Sequence, residues 1–447
     1  MRRLVTLALV IGLLCAISVP AAQAACTGNV NSSYRFCNGN INVIGNGGVI
    51  NNDGTIESVA NINAGVNGLW IKGSGLIMNS GAINVALGDG LRIDGDGDIT
   101  NSGDINAAAG NGIRIGGSGT VDNSGDINAL LGNGIKIVGD GSVENSGDIL
   151  ALVGNGIYVG GAGSVLSNAT IVAGGDGIYL GSGFVLSVGV ITAGDDGIHI
   201  DQSGVAVSIG RIAAGGDGIQ IGGDGIAVNI GVLLAGDDGI DIDGSGIALN
   251  VGLIAAADNG IEIGHDGLVI SFGEIDANGH GIYIGDTGTV INFGEIHSDQ
   301  DGVKIGGQGV VFNLGLIRSA DGDGVDIGGD GYVFNFDTIK GDDDGVDIGG
   351  DGFVYNEGLI RGDNSGVYID DNGSVYNLGE IKGNDGDGVH IGDNGEVLNL
   401  GLIKGDENGV HIGDNGSVMN VGEIIGQGED GVHIGADGFA YNEGLIR

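Results

Sequence analysis

The sequence has one proline, Pro20, and it lies in the N-terminal leader, so nothing downstream removes a backbone donor from a strand ladder. Aromatic residues are 4% of the chain, too few for the core of an ordinary enzyme. Cations are scarce. Fifteen Lys and Arg stand against 58 Asp and Glu, a formal net charge of −43, which becomes −43 − 2 = −45 when Arg2 and Arg3 leave with the leader. Such a chain is repelled by nucleic acid and anionic membrane surfaces and attracts cations or basic partners. Beyond the leader no apolar run is long enough to span a membrane. No 3.6-residue period, nucleophile motif, phosphate loop or zinc signature is present.

The leader itself is a secretion signal over residues 1–24: basic Met1-Arg2-Arg3, apolar Leu4 to Val19, then the small-residue cleavage site Ala22-Gln23-Ala24. Of the three cysteines, Cys15 leaves with it. Cys26 and Cys37 are expected to pair in an oxidising exterior, inside an N-terminal cap over residues 25–38. Lipidation of Cys26 is the alternative, poorly matched by Gln23 three residues before it.

What is abundant is glycine, 101 residues, with regularly recurring Ile and Val; hydrophobic residues reach 41%, enough for a core. From residue 39 to 447 a unit of 20 to 22 residues repeats: G-[I/V/L]-x-[I/V], a Gly/Asp turn, G-x-V-x-[N/S]-x-G-x-I, and a short Ala- or Asp-rich turn. Its first apolar position falls at Ile41, then Leu69, Leu91, Ile113 and onward to Val432, with an insertion in the long first gap. Three short alternations per unit are too small for helix pairs. They predict an all-β fold: a single-stranded parallel β-helix, or β-solenoid, with three short strands per coil, about 19 coils and a length of about 90 Å. Gly is expected to supply positive φ at the corners.

A polar column inside the second strand supports this architecture. It runs from Asn52 and Asn79 through Asn101, Asn123, Asn145, Ser167, Ser187, Ser208, Asn229, Asn250 and Ser271, then Asn292, Asn313, Asn335, Asn356, Asn377, Asn399, Asn420 and Asn442. Stacked amides can hydrogen-bond along the axis, so these residues are expected to form an internal ladder.

The G-x-V-x-N-x-G-x-I unit resembles the repeats of bacterial parallel β-helix surface proteins, including autotransporter passenger domains, over about 90% of the chain. That resemblance implies a right-handed helix serving as adhesin, surface fibre or spacer outside a bacterial cell. It specifies architecture well and activity poorly. The C-terminal membrane barrel of an autotransporter has no counterpart here, which leaves three options: export by another protein, a fragment, or a chain that never had a barrel.

The acids fall in turn columns. Two residues before the first apolar position stand Asp176, Asp196, Asp217, Asp238, Asp301, Asp323 and Asp344, among others; Asp351 belongs to the turn after the first strand. Like charges about 4.8 Å apart repel, but such pairs can share a hard cation. Ca²⁺ is therefore the expected ligand of these eight aspartates, with Asp-Gly turn chemistry and simple solubility as the alternative.

Two outward columns flank the Asn column. They are polar early (Thr100, Asp122, Glu144; Ser102, Ser124, Ser146) and apolar later. Phe312, Phe334, Tyr355 and Tyr376 precede the Asn; Phe272 and Phe293 follow it. An exposed face about 65 Å long predicts lateral packing on another copy or another protein, unless the strand's inside and outside are reversed or a corner buries one column. His390, His411 and His433 share a further column, suited to Zn²⁺ or pH sensing or else to a tolerant surface. The C-terminal coil shows no cap, which is expected to favour end-to-end assembly unless the sequence is truncated.

The leading expectation is a secreted structural or adhesive rod of the cell surface or extracellular matrix that forms homo-oligomers or filaments, with a glycan or protein as possible further partner. The alternative is a carbohydrate-active β-helix enzyme, a polysaccharide lyase or hydrolase, which needs a unique acid or base cluster and long cleft-forming loops. Uniform coils offer neither. Ice binding lacks the regular outward threonine pairs it requires.

Overall fold

The structure, a computed structural model, describes residues 26–27 and 30–447; the expected secretion signal lies outside them. The chain divides into two units, Met1–Gly161 and Ala162–Arg447. Both are all-β parallel solenoids with three strands per coil, about 20 turns in total.

The strands follow from the residue pattern. In Ile135–Ile137 the two isoleucines point inward and Lys136 outward; in Gly141–Asn145 Val143 and Asn145 point inward; in Ile149–Ala151 Ile149 and Ala151 do. Each coil therefore contributes four or five aliphatic side chains, nearly all fully buried, to a core that continues from coil to coil. Burying each larger one is worth about 1.5–3 kcal/mol. Coils pair in register, Leu91 with Ile113 and Ile93 with Ile115, so like residues stack on like and strands within the stack bury both edges against their neighbours.

Two expectations need correction. Ile41 does not head the first column. It begins a third strand, Ile41–Val43, paired with Ile62–Ala64, and the true partner of Leu69–Ile71 is Gly48–Ile50. The long first gap thus contains no insertion. Asn52 likewise lies outside the polar column, because Ser58 faces Asn79 and Cys37 faces Ser58. First and third strands both read Ile-x-apolar here, and only pairing distinguishes them. In the expected cap, Tyr34–Cys37 pairs in parallel with the next coil, and among the described residues only Cys26–Thr27 runs antiparallel, tied to it by the Cys26–Cys37 disulfide.

The glycines serve close approach more than unusual dihedrals. Among the described residues only Gly183 has positive φ, 122°. Elsewhere the coil below leaves no room: a Cβ at Gly231 would overlap the carbonyl oxygen of Gly210.

Candidate functional site: acidic turns and an apolar face

The turn column is itself a ladder. The Asp217 N–H donates to Asp196 Oδ1 at 2.9 Å, Asp238 N–H to Asp217 Oδ1 at 2.9 Å, Asp323 N–H to Asp301 Oδ1 at 2.8 Å, and Asp344 N–H to Asp323 Oδ1 at 2.7 Å. Asp196 N–H faces Asp176 Oδ1 in the same way at 3.4 Å. Asn can do this equally well: Asn133 N–H donates to Asn111 Oδ1 at 3.0 Å. This explains why Asp and Asn interchange at the position. One oxygen of each carboxylate is committed to the backbone, and the second is left for other partners.

Burial is the dominant electrostatic effect. It pushes Asp217 and Asp344 up to about 6, and Asp238 and Asp323 up to about 8, against the stabilising backbone N–H bonds and with neighbouring carboxylates adding to the rise. Asp301 goes the other way. Burial raises it, but His280, the Asp323 N–H and Lys304 outweigh that and hold it below the ordinary value.

Seven of the eight expected cation ligands lie in this column, in two runs, Asp176 to Asp238 and Asp301 to Asp344. Carboxylate oxygens converge within 4.8 Å in Asp217–Asp237–Asp238, Asp301–Asp323–Asp326 and Asp323–Asp343–Asp344. These all-oxygen sets fit a hard divalent cation. Asp351 is separate: it is exposed in the other turn, where its Oδ1 accepts from Asn372 and its N–H donates to Asp330. It joins none of the three sets.

Sequence reasoning treated the outward middle of the first strand as tolerant surface and so missed Asp241, Glu262, Asp326 and Asp347. They sit three residues after the turn position, and that spacing was the available signal. Burial first, then neighbouring acids, pushes Asp241 and Asp347 up to about 7. Lys304 pairs with Asp326 there.

The amide column is internal. Asn101 Nδ2 donates to Asn123 Oδ1 at 2.8 Å and to the Gly103 carbonyl at 2.7 Å, and Asn123 repeats the pattern onto Asn145. In the second unit the chain runs Asn292, Asn313, Asn335, Asn356, Asn377, Asn399, Asn420 and Asn442 at 2.8–2.9 Å per step. Each of these donors also reaches a third-strand carbonyl of the next coil, as Asn335 does with Leu359 at 3.0 Å. The column closes a corner and leaves no amide face for a ligand.

The flanking residues do face outward. Phe272 and Phe293 stack in parallel at 4.7 Å and are 52% and 44% exposed. Phe312 and Phe334 stack at 4.7 Å, and Phe353 bridges Phe334 to Tyr376 at 5.6 and 5.5 Å. Tyr355 packs on Phe336 at 5.9 Å. A third outward column on the same strands went unnoticed in the sequence: Phe184, Val205, Ile226, Ile247, Leu268, Thr289, Val310, Tyr332 and Phe353. Between Phe184 and Leu314 the three columns carry no charged residue. The same positions in the first unit include Asp98, Asp122 and Glu144.

Fold and surface together define a parallel β-solenoid repeat protein. The chain matches no protein-family model, no curated protein and no solved structure.

Proposed function

We propose that the chain is a secreted structural rod of the cell surface or extracellular matrix that associates laterally with a second copy of itself. The observation that carries this is the uncharged outward face between Phe184 and Leu314, on a chain whose net charge is −43. Two such chains repel everywhere the acids lie, so contact is favoured where carboxylates are missing. The uncharged part covers seven coils, about 34 Å at about 4.8 Å per coil; with the coils beyond it, where Glu357, Glu396 and Glu443 interrupt the columns, the apolar face is about 60 Å long. With a width of about 12 Å it offers about 700 Å² per copy, near the ~800 Å² of a stable interface. A second copy supplies the same axial repeat, so side chains can interdigitate coil by coil in a self-complementary contact. Ca²⁺ held by the turn carboxylates would lower repulsion between copies and within each stack.

The test is sedimentation and negative-stain microscopy of the chain from Ala25, with Ca²⁺ and with chelator. Wild type is expected to associate, and the triple variant F272S/F293S/F312S to stay monomeric with an unchanged far-UV spectrum. Monomeric wild type at about 50 μM in both conditions would overturn the proposal, since an interface of standard size holds in that range. Equal association in Ca²⁺ and in chelator would remove calcium and leave the apolar contact.

A further inference from the structure

The carboxylate sets above are all oxygen. One cluster in the second unit is different in kind, because it brings two imidazoles onto one carboxylate. First strands Val389–Ile391 and Val410–Ile412 pair in parallel, with His390 opposite His411 and the ring centroids 4.6 Å apart. Asp387 lies in the turn three residues before His390 and is 5% exposed. Its Oδ2 is 2.9 Å from His390 Nδ1 and 3.5 Å from His411 Nδ1. The three ligand atoms all lie within 4.8 Å of one another.

The arrangement depends on one residue. At the turn of the next coil stands Asn408, where several other coils have Asp. Its N–H and its Nδ2–H both donate to Asp387 Oδ1, each at 2.9 Å. Those bonds fix the carboxylate plane and aim Oδ2 at the histidine pair. Because the turn residue of its own coil is an amide, His411 reaches back to Asp387. His433, by contrast, faces its own Asp430 at 3.4 Å. Tyr368 closes the other side, stacked on His390 at 4.7 Å.

We propose that Asp387, His390 and His411 form a binding site for a zinc-type divalent transition-metal cation, with one carboxylate oxygen and two imidazole Nδ1 atoms as ligands. Bonds of about 2.0–2.2 Å at tetrahedral angles place ligand atoms about 3.3–3.6 Å apart; the two separations from Asp387 Oδ2, 2.9 and 3.5 Å, are within tenths of an ångström of that, and the two imidazole nitrogens lie within 4.8 Å of each other. Imidazole nitrogen favours such an ion over Ca²⁺, which takes oxygen shells. Asn408 supplies the outer hydrogen bonds that orient a ligating carboxylate. Each neutral ring binds through the Nδ1 lone pair and keeps its single proton on Nε2; a doubly protonated ring first releases its Nδ1 proton to solvent. Asp176–Asp196–His199, the other mixed cluster among the described residues, has one imidazole.

The experiment is calorimetric titration of the full chain with ZnCl₂ in excess Ca²⁺, alongside Co²⁺ absorption spectroscopy. One Zn²⁺ equivalent is expected to bind at least about tenfold tighter than the carboxylate background, with the visible bands of four-coordinate cobalt. H390A/H411A should abolish both signals, H411A alone should weaken binding at least about tenfold, and H265A should change neither. Absence of a tight class in wild type would overturn the site, as would its survival in H390A/H411A. Far-UV spectra of the variants confirm that the outward substitutions leave the coils intact.

Discussion

Replacing Asp344 by Asn is expected to stabilise the protein, and only at high pH. Asp344 is 7% exposed, its Oδ1 accepts the Ser365 N–H at 2.6 Å, and its own N–H is already bonded to Asp323. Burial, with Asp343 nearby, raises its pKa from 3.8 to about 6. The folded state therefore takes up a proton that the unfolded chain binds only near 3.8, and stability from this group falls as pH rises from about 4 through about 6. The rise of about 2 units sets a ceiling of about 3 kcal/mol at ~1.4 kcal/mol per unit. Solvent screening at a turn reduces this to about 1–2 kcal/mol. Asn keeps the acceptor for Ser365, and its amide can donate to Asp323 Oδ1 as Asn408 does to Asp387 at 2.9 Å. Urea unfolding in chelator should show D344N more stable by about 1–2 kcal/mol near pH 8, with the gain vanishing near pH 4. Destabilisation at pH 8, or a difference independent of pH, would refute the claim that this ladder carries uncompensated buried charge.

Two further substitutions test the architecture. N335A removes the donor to Asn356, Asp337 and Leu359 and leaves buried acceptors unpaired, so a loss of about 2–4 kcal/mol is expected in denaturant unfolding; a loss under about 0.5 kcal/mol would mean the ladder is incidental. G231A forces a Cβ into the Gly210 carbonyl and should cost about 2–3 kcal/mol, with faster amide exchange in the coils around it. Unchanged exchange there would show that the stack opens to admit a methyl group.

Much was legible in the sequence because a 21-residue repeat is a strong constraint. The alternation in units such as Ile135-Lys136-Ile137 fixes which side chains face inward, and a fixed period fixes parallel stacking, so three-stranded coils, the buried amide column and the outward placement of Phe272 and Phe312 could all be read before any coordinates. Other features depended on how the chain turns its corners, which composition does not encode. The pattern of Ile41–Val43 suits a first or a third strand, and only its pairing with Ile62–Ala64 decides between them. Glycine at the turns suggested left-handed dihedrals, yet the stacked carbonyls impose the requirement at Gly231 through space. Asp351 and Asp344 look alike in sequence, but opposite ends of the first strand keep them apart. His390 and His411 were visibly in one column, whereas their common reach to Asp387 depends on Asn408 occupying the turn between them. Periodicity along the chain determined which residues stack. The backbone path across each corner decided which stacks touch, because that path sets distances between residues that no local pattern relates.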